Sequence, residues 1–223
     1  MNSNRKSYSW QRVNCSYEKG LYMRIERVES LDKRKCKVFT DEDFAFLLYN
    51  GELEKYGVCE GAVLEKRTER ELLDLLSRRA HERALNLLKV QDRTEGEMCR
   101  RLFQDGYPDS IVQETIGFLQ EYHFVDDARY AANYLQVHGK RKSQAELKLY
   151  LQRKGISREI IREQLEETEH DSGEAIRVLL EKKHYRAGET APEEKKKIIA
   201  YLMRRGFSWE DIRREMKEQE DAL

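Results

Sequence analysis

Asp126 and Asp127 form an adjacent acidic pair in an apolar setting, YHFVDDARYAANYL. Two neighbouring carboxylates could hold a metal ion or act as general acid and base. The plainer reading is that one of them caps a helix starting near Ala128 by accepting backbone N–H bonds, and it carries more weight. The five histidines (His81, His123, His138, His170, His184) are scattered without ligand-like spacing. The cysteines Cys15, Cys36, Cys59 and Cys99 are 21, 23 and 40 residues apart, which forms no CxxC pair. No HExxH, GxSxG, GxxxxGK or GxGxxG string occurs. The expectation is a protein that is not an enzyme, with no metal and no cofactor.

Charge is the more informative chemistry. Lys+Arg and Asp+Glu are 42 each, so the whole chain offers polyanions no net attraction, and only local patches matter. Eight basic residues against three acidic ones fall between His138 and Leu165. They are Lys140, Arg141, Lys142, Lys148, Arg153, Lys154, Arg158 and Arg162. The same ratio recurs between Lys195 and Lys217, while Glu166 to Glu194 holds nine acidic against four basic. The pairs Arg100/Arg101, Arg153/Lys154 and Arg204/Arg205 stand near helix ends, where positive charge favours the dipole by about 0.3–1 kcal/mol. Recurrence once per repeat would also lay a basic stripe suited to a polyanionic or acidic partner. Helix energetics explain the turn Gly139-Lys140-Arg141-Lys142 least, because it precedes a helix start, and it is the best single candidate for a contact. Arg93 and Lys148 complete the candidate contact residues.

The elements that position these residues are set by an internal repeat. CRRLFQDGYPDSIVQETI, KLYLQRKGISREIIREQL and IAYLMRRGFSWEDIRREM align on Gly106, Gly155 and Gly206, spaced 49 and then 51 residues apart. Apolar residues hold five columns around each glycine: Met98, Leu147, Ile198; Leu102, Leu151, Leu202; Tyr107, Ile156, Phe207; Val112, Ile161, Ile212; and Ile116, Leu165, Met216. The glycine is expected to close one helix in a left-handed cap. Pro108, Ser157 or Ser208 then opens the next. Upstream helices are expected over His81 to Val90, Arg129 to Val137 and Glu174 to Lys183. Ser/Thr-x-x-Glu capping boxes at Thr68, Thr94, Ser143 and Thr190 mark further helix starts.

Before this region, GLYMRIERV alternates with Leu21, Met23 and Ile25 on one face, and KCKVFTDEDFAFLL reads as two short strands around an acidic turn. The fold expected is mainly α: tandem three-helix repeats in a curved, elongated solenoid, preceded by a small β-containing module. The expected divisions are residues 1–66, 67–127, 128–170 and 171–223. Charged residues make up 38% and mean hydropathy is −0.87, which suits many small wetted units better than one thick core. No apolar stretch approaches a membrane span, and MNSNRKSYSW has no apolar run behind its charges, so a cytoplasmic monomer with free thiols is expected.

These residues resemble the RecX family. The matching positions are Ala84, Leu85, Leu88; Arg93, Thr94, Glu97; Asp126, Asp127, Tyr130, Ala131; Gly139; and Leu151, Lys154, Gly155, Ile156. FTDEDFAFLLYNGELEKYGVCEGAVL is similar to the β-containing extension of longer Gram-positive members. The resemblance implies a regulator that lies along the groove of the RecA filament on single-stranded DNA and bridges its protomers. It would damp ATP hydrolysis, strand exchange and coprotease activity in recombination and the SOS response, with weak direct DNA binding as an accessory property. The rivals are a direct DNA-binding protein and a helical-repeat scaffold acting on another partner.

Overall fold

In the computed structural model of the chain, residues 23–41, 45–168 and 171–221 are described. Leu21 and the acidic turn residues Glu42, Asp43 and Phe44, like Cys15 and His170, lie outside them. The chain divides into two compact units, one holding the described residues 23–41 and 48–72 and the other holding 45–47, 73–168 and 171–221.

The first unit is built on period-two alternation. Strands β1 (Met23–Ser30), β2 (Lys35–Thr40), β3 (Ala45–Tyr49) and β4 (Val63–Leu64) form a sheet in the order β3-β2-β1-β4. β1 pairs antiparallel with β2, Val28 opposite Val38 and Ser30 opposite Cys36, and antiparallel with β4, Met23 opposite Leu64. Register slips once, between Ile25 and Arg27. Cys36, Val38 and Thr40 alternate inward along β2, as do Phe46 and Leu48 along β3, which is how a strand covers one face. The short helix α1 (Asn50–Tyr56) ends at Gly57 in the left-handed region and leads to β4.

The second unit is helical. The helix that leads into it departs from expectation: α2 (Lys66–Leu88), of which residues 73–88 belong to this unit, is one continuous helix of 23 residues, starting two residues before Thr68. Thr68 is therefore inside the first turn and does not cap it. Leu72, Leu76, Ala80, Ala84 and Leu87 are buried at helical spacing with no breaker between them, so nothing separates an entry helix from the segment beginning at His81. There follow α3 (Glu95–Gln104), α4 (Asp109–Glu121), α5 (Asp127–His138), a 3₁₀ turn (Gly139–Arg141), α6 (Gln144–Lys154), α7 (Arg158–Glu167), α8 (Ser172–Lys182), α9 (Pro192–Arg204) and α10 (Trp209–Asp221).

The repeat columns become three apolar cores. One holds Met98, Leu102, Val112 and Ile116 with Tyr107 packed on it; the next holds Leu147, Leu151, Ile156, Ile161 and Leu165; the third holds Ile198, Leu202, Phe207, Ile212 and Met216. Each repeat thus buries its own two-helix corner and one upstream helix. The repeat glycines take φ of 84°, 97° and 87°, where a side chain would be strained. His123 and His184 fill the equivalent left-handed position after α4 and α8, with φ of 55° and 54°. Their helices end in the same backbone pattern: the Phe124 amide donates to Leu119, and the Tyr185 amide to Leu180.

Two capping boxes form as expected, at Thr94 and Ser143. The one expected at Thr190 does not. Helix α9 starts at Pro192 with Ala191 at its N-cap and no side-chain cap, and the Thr190 hydroxyl instead accepts from the Arg186 amide at 2.8 Å. Proline at the first helical position gives up no hydrogen bond there, so the helix starts on it.

Candidate functional site

Asp126 and Asp127 do different work. The Asp126 carboxylate accepts from the Arg129 amide at 2.9 Å and caps α5. The Asp127 carboxylate accepts from the Glu95 amide at 2.9 Å, tying α5 to the start of α3. Burial, then the neighbouring charges of Asp126 and Glu97, pushes its pKa up against that hydrogen bond. Burial and Asp127 raise Glu95 likewise. Among the described residues, no group of three or more His, Cys, Asp or Glu is placed to hold a metal ion. Cys99 is buried and its thiol is pushed up to about 11 by burial, then by Glu95 and Asp109, which makes it a poor nucleophile.

The basic residues divide. At the end of α6, Arg153 is exposed while Lys154 turns inward, its Nζ 2.6 Å from Glu97 of α3. At the end of α9, Arg204 is exposed while Arg205 turns inward and grips Glu146 of α6 with two bonds, Nε to Oε1 at 2.9 Å and Nη2 to Oε2 at 2.8 Å. A bidentate arginine–carboxylate pair is among the stronger polar contacts. Burial works against the charge of Lys154, but its hydrogen bond to Glu97 and that carboxylate's charge outweigh it, and its pKa is raised. The Glu146 bond raises Arg205 in turn. Arg100 and Arg101 sit one turn earlier relative to their glycine. Arg100 donates to the Lys154 carbonyl at 3.3 Å, and Arg101 lies 3.5 Å from Asp105.

The basic turn is partly engaged. Lys140 pairs with Glu174 at 3.1 Å, largely in solvent. Arg141 is exposed, and its carbonyl accepts from Arg205 Nη2 at 3.2 Å. Lys142 donates to the Tyr134 hydroxyl and lies over the rings of Tyr134 and Tyr150, which stack at 4.0 Å. Lys148 is exposed and donates to Gln144 at 3.2 Å. Exposed cations that remain on the surface of the last two repeats therefore include Arg141, Lys148, Arg153 and Arg204.

Arg93 belongs to a second place that charge patterning alone did not single out. It lines a small cleft with Asp92, Phe124, Asp126, Arg129, Tyr130 and Asn133. Beside it, Phe118 stacks on His81 at 4.4 Å and lies against Tyr122 and Phe124, residues that are 59% and 46% exposed. The i, i+4 spacing of Phe118 and Tyr122 was a usable signal. Phe124 reaches them only because His123 turns the chain.

Comparison with known proteins places these units. Models of the first, second and third three-helix domains of RecX match residues 80–119, 126–165 and 171–216. The regulatory protein RecX of Clostridium tetani is 33% identical over 208 residues, covering 91% of this chain and 86% of the relative. That of Clostridium acetobutylicum is 28% identical over 203 residues, covering 87% and 95%. Two crystal structures have the same fold at 21% identity. That of a regulatory protein RecX has a TM-score of 0.57 over 90% of this chain, and that of RecX from Lactobacillus salivarius has 0.58 over 66%. With three matching domains in order and a relative this similar over nearly its whole length, the chain belongs to the RecX family of regulatory proteins.

Proposed function

We propose that this chain binds the RecA recombinase filament on single-stranded DNA and damps its ATP hydrolysis, strand exchange and coprotease activity. The observation that carries the reading is the exposed basic residue just before the glycine turn in repeats 2 and 3, Arg153 and Arg204, together with Arg141 in a chain of this family. Cations recurring at one register position suit a partner whose own negative charges recur, as a filament of protein and DNA does. The exposed rings beside Arg93 and Arg129 add a surface on which unpaired bases can stack. Supporting residues are Lys140, Arg141, Lys142, Lys148, Arg153 and Arg204 on one side and Arg93 on the other. The protein acts in the cytoplasm as a monomer and needs no cofactor.

The test is single-strand-dependent ATP hydrolysis by the recombinase of the same organism, with this protein titrated in below stoichiometry. A fall in rate at a small fraction of the recombinase concentration is expected. An unchanged rate would overturn the reading in favour of direct DNA binding or scaffolding. Arg141→Glu, Arg153→Glu and Arg204→Glu combined should relieve the inhibition while helix content stays the same.

A further inference from the structure

The two internal repeat boundaries are built alike. At the first, the Thr94 hydroxyl accepts from the Glu97 amide at 3.2 Å and donates to the Lys154 carbonyl at 2.6 Å, while Glu97 takes Lys154 Nζ. At the second, the Ser143 hydroxyl accepts from the Glu146 amide at 3.1 Å and donates to the Arg205 carbonyl, while Glu146 takes the Arg205 guanidinium. In each case the start of one repeat's second helix receives the end of the next repeat's second helix. Free amides thereby face free carbonyls, and the dipoles meet with opposite sign.

Backbone approach is equally matched. A Cβ on Gly155 would lie 3.0 Å from the Gly96 Cα, and one on Gly206 would lie 2.6 Å from the Ala145 Cβ. Gly96 and Ala145 are each two residues past the capping hydroxyl. Small residues at both places let the ends meet.

The outer positions do not carry this arrangement. In repeat 1 the residue before the glycine is Asp105, already engaged by Arg83 at 2.6 Å. In repeat 3 the register positions of Thr94 and Glu97 are held by Glu194 and Lys197, and α9 begins a turn earlier, at Pro192. The charge order is inverted and the hydroxyl is gone.

We infer that Thr94/Glu97 with Lys154, and Ser143/Glu146 with Arg205, are two copies of one directional joint that holds consecutive repeats at a set separation and that the outer positions of repeats 1 and 3 lack. Lys154 and Arg205 are then positioning residues, whose work is done through the exposed neighbours Arg153 and Arg204 that they aim. The inference stands whether or not the recombinase is the partner.

The experiment measures distances between spin labels on exposed positions of repeats 1 and 2, Gln113→Cys and Glu163→Cys, in the full chain with Cys15 and Cys59 replaced by Ser. Thr94→Ser with Lys154→Arg converts the first joint into the chemistry of the second and should keep the narrow distance distribution of the parent. Lys154→Asp installs the residue found at the outer end and should lose that narrow peak while helical circular dichroism is retained. The inference is overturned if Lys154→Asp keeps the parent distribution, or if the Ser/Arg conversion broadens it as much as Lys154→Asp does.

Discussion

The second helices of repeats 2 and 3 have the same register, glycine turn and apolar columns, each in its own core, yet they start differently. Helix α6 begins on a capping box whose serine is buried against the next repeat. Helix α9 begins on Ala191-Pro192 with no side-chain cap, preceded by a turn that Thr190 closes on itself. The apolar columns are the same in both, so the cores do not need the box. What the box adds is a boundary: a polar, charged and close-packed seam between neighbours. In repeat 3 the helix instead starts a turn earlier, on Pro192, without the box.

The largest effect is expected where both repeats agree. Leu151→Ala and Leu202→Ala each empty a fully buried site at the same column. Each should cost about 2–5 kcal/mol by chemical denaturation. A cost confined to one of them would break the equivalence of the cores. Next, Gly155→Ala meets both a left-handed φ of 97° and the Gly96 backbone at 3.0 Å, whereas Gly188→Ala meets a φ of 73° and open space. The strain alone is worth about 1–2 kcal/mol, so Gly155→Ala should cost distinctly more than Gly188→Ala. Equal costs would mean that the seam yields.

Removing caps sharpens the contrast further. Ser143→Ala should cost about 1–2 kcal/mol, because the hydroxyl serves both its own helix and the next repeat. Thr190→Ala removes one exposed turn contact and should stay within about 0.5 kcal/mol. Smallest in energy but clear in readout is thiol alkylation at pH 8. Cys59 is exposed and should react within the assay, whereas Cys99 is buried with its thiol near 11 and should react only once the protein unfolds. Raising the pH toward that value increases the thiolate fraction, but burial still blocks access.

Much of this was legible beforehand. The five columns and the glycine spacing point to three helical corners because only a 3.6-residue period places those positions on one face. The strand module was equally readable from alternation in Lys35 to Leu48. The joints were not. Arg153 and Lys154 are adjacent and chemically similar, but neighbours on a helix point about 100° apart, so one faces solvent while the other faces repeat 1. Which is which depends on where Glu97 arrives from a position 57 residues away.

The sequence by itself therefore determined the repeat, its helical class and its capped starts at Thr94 and Ser143, since those rest on local periodicity and on hydrogen bonds within a single turn. Only the tertiary structure decided that Lys154 and Arg205 serve the seams while Arg153 and Arg204 serve the surface, and that α9 starts on proline. Each of those outcomes depends on contacts or on competing caps whose balance a single stretch of chain does not contain.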